Sequence, residues 1–254
     1  MNWLDLVLLP ILQGIAEFLP ISSSGHLVIA QAVFGSSPNS TYNVLLHGGT
    51  LASILIYYHR RIIDLIRHDR RLLPLLVIGT IPAAVAGLTI KFTIDSVLEN
   101  PLLASLLLPV TGVVVWWSNK RPEGEGEYRD MTVKHALLIG FFQSFALLPG
   151  LSRSGMTIAA GLCVGLKRDQ ATTFSFLLAI PAILGAMVVE SKDFITGEAP
   201  PVTLEQCVGT LLAAAIGIFA LSWLHRWVSQ KRLHWFAFWC IPFGILMAIW
   251  QPWQ

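Results

Sequence analysis

"QGIAEFLPISSSGH", residues 13–26, sets a glutamate, three consecutive serines, a glycine and a histidine into a chain that is otherwise oily. Of 254 residues, 54% are hydrophobic and 13% charged, with a mean hydropathy of +0.65. Soluble domains carry about 25% charged residues, so the deficit predicts lipid rather than water as the surrounding solvent. An isolated carboxylate such as Glu17 is costly there, and an ionisable residue at membrane depth points to function. Gln13 stands four residues earlier on the same helical face, so both side chains are expected in one polar spot.

A second stretch, "LLPGLSRSGMT" at 147–157, has the same make-up with Arg153 at its centre. Each stretch interrupts an apolar region, 3–35 and 132–166, whose halves are too short to cross a bilayer, since that takes about 20 residues. Broken helices at membrane depth survive only where protein or a wet cavity satisfies the freed backbone. Both regions therefore read as re-entrant helix hairpins. Five or six other segments are long enough to span, roughly 42–58, 72–92, 101–118, 171–190, 206–224 and 235–250. The expected fold is an all-α integral membrane protein, a single polytopic domain over residues 1–254.

Sliding the chain by 130 residues aligns Gln13, Ala16, Ser22, Ser24 and Gly25 with Gln143, Ala146, Ser152, Ser154 and Gly155. The same offset, without a gap, aligns Gly79, Thr80, Ala83, Ala84 and Gly87 with Gly209, Thr210, Ala213, Ala214 and Gly217. The pattern predicts two repeats, about 1–125 and 126–254, each a re-entrant hairpin plus three transmembrane helices. An odd number of crossings turns the second half upside down. Inverted repeats of this kind place their site where discontinuous helices meet, near the midplane. Fourteen of the 17 Lys and Arg residues fall within 60–71, 120–134, 167–168 and 226–232. Alternating spans put these groups on one side, which the positive-inside rule makes cytoplasmic. Loops 93–100 and 191–205, with Asp95, Glu99, Asp193, Glu198 and Glu205, then face outward, as do both termini.

Other classes recede. Basic residues lie in short loops rather than on one extended face, so no nucleic-acid partner is expected. No two-ligand metal spacing occurs, and Cys163, Cys207 and Cys240 read as small buried hydrophobes. The first residues lack the pattern of a cleaved signal peptide. His59, His68, His225 and His234 belong to basic loops, and His47 reads as a core histidine.

Serines where a helix restarts serve as N-caps, or join the free N–H groups and partial positive charge of the helix start in holding phosphate. Arg153 suits phosphate oxygens through its planar fork, and equally suits an ion pair with Glu17 that ties the halves together. At the 130-residue offset Glu17 faces Leu147 and Ser23 faces Arg153. One half keeps a base and a nucleophile, the other a cation. Glu17, Ser23 and Arg153 are the reacting groups this pattern offers, in a phosphate site expected to include Gln13, Ser22, Ser24, Gly25, His26, Ser152, Ser154 and Thr157.

"SSGH" imitates one element of the lipid phosphatases related to acid phosphatases, but their second histidine would fall at Ala159. The chain instead resembles the bacterial undecaprenyl-diphosphate phosphatases, or bacitracin-resistance proteins. Its two interrupted stretches match that family's signature motifs, and "LLHGGTLASI" and "SFLLAIPA" resemble its helices. The resemblance implies a location in the bacterial cell membrane and undecaprenyl diphosphate, left by cell-wall polymer assembly, as substrate. It implies the monophosphate carrier as product, and a pocket open to the outer face. It also implies that Glu17, a serine of the 22–24 run, His26 and Arg153 carry the reaction. Gln13 occupies a position where the family has Glu or Gln, which leaves Glu17 as the sole carboxylate of the two motifs. No firmly bound cofactor is expected; a divalent cation (Mg or Ca) would accompany the diphosphate. The sequence is compatible with a homodimer. The rival reading is a polyprenyl-phosphate flippase using the same headgroup site, because broken helices in inverted repeats also build transporters.

Overall fold

The computed structural model describes residues 3–34, 40–93, 97–191 and 201–251. Its helices are α1 (Trp3–Ala16), α2 (Ser23–Phe34), α3 (Ser40–Tyr57), α4 (His59–Arg67), α5 (Leu72–Thr93), α6 (Pro101–Asn119), α7 (Val133–Phe145), α8 (Arg153–Cys163), α9 (Arg168–Glu190), α10 (Leu204–Ser229) and α11 (Ala237–Trp250). Among the described residues there is no strand, only an isolated bridge between Gly126 and Leu166.

Both interruptions share a make-up. Proline has no N–H to give to the carbonyl four residues back. Pro10, Pro82, Pro109, Pro181 and Pro242 are nonetheless carried inside helices, whereas Pro20 and Pro149 are soon followed by serines, Ser22 and Ser152, that cap a new start. Pro20 stands four residues after Ala16, where α1 stops, and Pro149 stands four after Phe145, where α7 stops. The chain then restarts as α2 and α8. These four helices have 14, 12, 13 and 11 residues.

Five helical runs are long and apolar enough to cross a bilayer: Leu72–Thr93, Pro101–Asn119, Arg168–Glu190, Leu204–Ser229 and Leu233–Trp250. The chain is a multi-pass membrane protein. α3 has 18 residues, the length of a span, but with Asn43, His47, Thr50 and Ser53 along it, it is not among those five. The outer faces are oily, with Phe92 82% and Phe219 70% exposed. Lipid is as apolar as leucine, so helices associate through close backbone approach and small residues. α5 lies on α7, α1 and α3 on α10, α3 on α9, and α6 on α11. A Cβ on Gly140 would sit 2.1 Å from the Gly79 carbonyl oxygen, and one on Gly49 2.5 Å from that of Thr210. α8 is at the centre, with Ser154 through Leu162 all buried. A helix buried on every side needs apolar and small residues all round, and "GMTIAAGL" provides them.

The structure corrects several expectations. The basic loop after α3 contains the amphipathic helix α4, which buries Leu65 and exposes Ile63 and Ile66 beside its arginines. α10 continues to Ser229, so His225 and Arg226 lie on a helix. Arg168 is not a loop cation but the buried first residue of α9. Its Nη2 donates to the carbonyls of Asn119 and Arg121, 3.0 Å each, at the end of α6. Those carbonyls have no helical partner and carry the negative end of the helix dipole, which is why a cation is drawn in. Cys163 and Cys207 are exposed and only Cys240 is buried; a surface in contact with lipid tolerates small thiols. Asp95, Asp193 and Glu198 lie outside the described residues.

The α5–α7 contact makes a clean prediction. Gly140→Ala has no space for its methyl and should destabilise by about 1–3 kcal/mol, the usual cost of overpacking. Gly185, whose Cβ would meet nothing within 4 Å, should accept alanine without penalty. Thermal midpoints of the two variants in one detergent check this.

Candidate active site

The two interruptions meet in the interior. Each restart is capped by its serine: Ser22 Oγ accepts from the Gly25 N–H and Ser152 Oγ from the Gly155 N–H, both at 3.2 Å. The second hydroxyls pair with the caps, Ser24 with Ser22 at 3.5 Å and Ser154 with Ser152 at 3.1 Å. Contacts between the interruptions are equally matched. A Cβ on Gly25 would lie 2.8 Å from the Gly150 backbone, and one on Gly155 would lie 3.3 Å from Pro20. Gly150 has a φ of +94°, which glycine adopts freely. Ser22, at φ +70°, does not have that freedom. L residues in this region cost about 1–2 kcal/mol, so the surroundings must hold the turn.

Glu17 lies at this junction, 8% exposed. Its Oε2 accepts from Ser23 Oγ at 2.8 Å and from Gln13 Nε2 at 3.2 Å. Its Oε1 accepts from Arg153 Nη2 at 2.6 Å, an ion pair between the two halves of the chain. Arg153 also lies over the Phe176 ring, 5.9 Å from its centroid. Gln13 Oε1 and Arg153 Nη1 are buried with no hydrogen-bond partner among the described residues.

Gln13, Glu17, Ser23 and Arg153 thus converge. Ser22, Ser24, Gly25, Ser152 and Ser154 form the caps around them. Two expected members point elsewhere. Thr157 Oγ1 donates to the Arg153 carbonyl at 2.8 Å and lies 2.5 Å from Ser175 Oγ, fastening α8 to α9. His26 places Nδ1 2.8 Å from the Ser22 carbonyl oxygen, and its Nε2 accepts from Trp239 Nε1 at 2.9 Å.

Thr111 escaped sequence reasoning. Its Oγ1 donates to the Gly150 carbonyl at 2.7 Å and accepts from the Ser152 N–H at 3.0 Å, bracing the second interruption from α6. Trp239 escaped it too. A single hydroxyl or indole in an apolar span gives no signal of which way it faces.

The arrangement suits phosphoryl chemistry. A hydroxyl hydrogen-bonded to a carboxylate is a nucleophile with its base in place. The starts of α2 and α8 lie beside this cluster, and a helix start offers its dipole and uncapped N–H groups to an anion. The guanidinium keeps Nη1 uncommitted. Among the described residues no group of three or more His, Cys, Asp or Glu gathers to hold a metal ion.

Comparison with known proteins agrees with this chemistry. Residues 6–246 match the family model described as Bacitracin resistance protein BacA. An undecaprenyl-diphosphatase of Rhodopirellula baltica is 51% identical over 246 residues, covering 96% of each chain. Undecaprenyl-diphosphatase 3 of Bacillus cereus is 39% identical, covering 99% of this chain and 98% of its own. An undecaprenyl-diphosphatase of Methanosphaera stadtmanae is 35% identical, covering 97% of each.

Thr111→Val tests the brace. Valine keeps the volume but leaves the Gly150 carbonyl and the Ser152 N–H buried and unpaired, at about 1–3 kcal/mol each. The variant should unfold at a lower temperature than wild type in detergent, whereas Thr89→Val, at an exposed hydroxyl that bonds only within its own helix, should not.

Proposed function

The chain belongs to the bacitracin resistance protein BacA family, and from that membership and the Glu17 cluster we propose that it hydrolyses undecaprenyl diphosphate to undecaprenyl phosphate. One observation carries the reading: Ser23 Oγ is hydrogen-bonded to the carboxylate that also holds Arg153. Ser23 Oγ attacks the terminal phosphorus while Glu17 takes its proton. The P–O bond to the inner phosphate breaks, and undecaprenyl phosphate leaves. Water then cleaves the phosphoserine, releasing phosphate. Arg153, with the amides of the two helix starts, stabilises the charge growing on the phosphoryl oxygens. A water nucleophile aimed by Glu17 is the mechanistic alternative. Any divalent cation arrives with the diphosphate, because the one carboxylate of the site is already shared by three donors. The flippase reading leaves the Ser23–Glu17 hydrogen bond unexplained, since a carrier needs no hydroxyl held against a base.

The architectural reading belongs to the same proposal. Two inverted repeats explain why α1 packs on α10 as α7 packs on α5, and α3 on α10 as α9 on α5. They also explain why the caps and the contacts of Gly25 and Gly155 recur at one offset. At 1.5 Å per residue the four short helices reach about 16–21 Å, well short of a hydrocarbon core of about 30 Å. They therefore enter and return. The four basic groups face the cytoplasm, the termini and the mouth of the site face outward, and the product returns to service as the lipid carrier for peptidoglycan and other wall polymers.

Phosphate release from undecaprenyl diphosphate by the purified protein is the primary test; lipid transfer without phosphate release would overturn the proposal. Glu17→Gln, which keeps an oxygen for Arg153 but removes the base, should stay folded and lose turnover. Arg153→Lys loses the planar fork and, with about 3 kcal/mol of transition-state contact gone, should slow roughly a hundredfold. The serines should be unequal in single-turnover release. Ser23→Ala should fall to background while Ser22→Ala and Ser24→Ala keep partial activity. Measurable turnover by Ser23→Ala would favour the water mechanism.

A further inference from the structure

His26 stands three residues beyond Ser23, yet neither of its ring nitrogens is hydrogen-bonded to Ser23 or Glu17. Its Nδ1 lies 2.8 Å from the Ser22 carbonyl oxygen, and its Nε2 lies 2.9 Å from Trp239 Nε1. The two partners determine the tautomer. A carbonyl oxygen only accepts, so Nδ1 carries the hydrogen. An indole N–H only donates, so Nε2 presents its lone pair. With both contacts made, the ring is a neutral imidazole with neither nitrogen free to exchange a proton with substrate.

The same clamp continues around the ring. Phe243 stacks on His26 with centroids 5.0 Å apart and planes 5° apart, and Trp239 stacks on Phe243 at 5.3 Å. Between them in sequence, the Cys240 thiol donates to the Pro20 carbonyl at 3.8 Å. One face of α11 therefore grips the first interruption at both Pro20 and His26. What His26 holds in turn is the carbonyl of Ser22, the residue at φ +70°. That carbonyl also accepts the His26 backbone N–H at 3.2 Å. The strained turn at Ser22 sets the direction of Ser23, the next residue.

We infer that His26 is a positioning residue and not an acid or base: clamped by Trp239 of α11, it fixes the Ser22 turn that aims the Ser23 hydroxyl at Glu17. The inference rests on the phosphatase reading for its kinetic consequences only. Asparagine at position 26 tests it, because its amide nitrogen is as many bonds from the backbone as Nδ1 and can donate to the Ser22 carbonyl. It cannot shuttle a proton. His26→Asn should therefore turn over at least about tenfold faster than His26→Ala, the amide restoring the hydrogen bond that the methyl cannot make. A smaller gap overturns the inference. Trp239→Phe, which removes only the indole donor, should lower kcat with KM little changed, and serves as the comparison should His26→Ala not fold; an unchanged kcat overturns the clamp. Nitrogen-15 NMR of histidine-labelled wild type supplies a readout independent of turnover, with the His26 signals identified by their loss in His26→Asn. Nδ1 protonated and Nε2 bare is the expected pattern, disturbed in Trp239→Phe. A protonated Nε2 in wild type overturns the assignment. Should wild type release no phosphate at all, the hydrolase reading fails, while the spectrum still decides the tautomer and the clamp.

Discussion

A carboxylate and a guanidinium inside a bilayer need each other. The Arg153–Glu17 pair, 2.6 Å long and nearly sealed from solvent, is the constraint to which the surrounding structure answers. Breaking a buried pair by removing one partner costs about 3–5 kcal/mol, so the interruptions that carry the two charges must stay in contact. Glycine at 25 and 150 lets the two backbones touch, serine caps at 22 and 152 satisfy the restarted helices, and Thr111 braces the second turn from α6. Each of these features is there to bring two broken helices close enough for one carboxylate to serve both.

The two interruptions share a scaffold and differ in their charged residues. Caps and close approaches are kept at one offset, while Glu17 stands opposite Leu147 and Ser23 opposite Arg153. Gln143 shows the difference. Its counterpart Gln13 donates to Glu17, but Gln143 is buried with neither amide atom partnered among the described residues. Leu147 stands at the position that the 130-residue offset aligns with Glu17, so Gln143 has no carboxylate four residues on.

Glu17, Ser23 and Arg153 were legible in sequence because polar groups in an oily chain have few structural excuses, and the breaks because Pro, Gly and Ser cluster there. Arg168, Thr111 and Trp239 were not. In a water-soluble helix the polar side marks the outside, but lipid and protein interior are equally apolar, so the pattern along a span carries no such mark. Arg168 looked like a loop cation because nothing local announces that the end of α6 lies over it. His26 was legible as a member of the motif but not in its contacts, which depend on an indole more than two hundred residues away. The caps were readable as alternatives to phosphate ligands, and only the paired distances at both restarts decided how their hydroxyls are engaged.

Because Arg153 Nη2 is already bonded to Glu17, a phosphate that recruits more of the guanidinium than the free Nη1 meets an internal competitor. On the proposed reading that competition favours the more highly charged ligand. A diphosphate brings more negative charge than the monophosphate left behind, and so displaces the carboxylate more effectively. After cleavage Glu17 can reclaim its partner and help eject the shortened headgroup. On the same reading, a site closed by its own ion pair resists inhibition by its product.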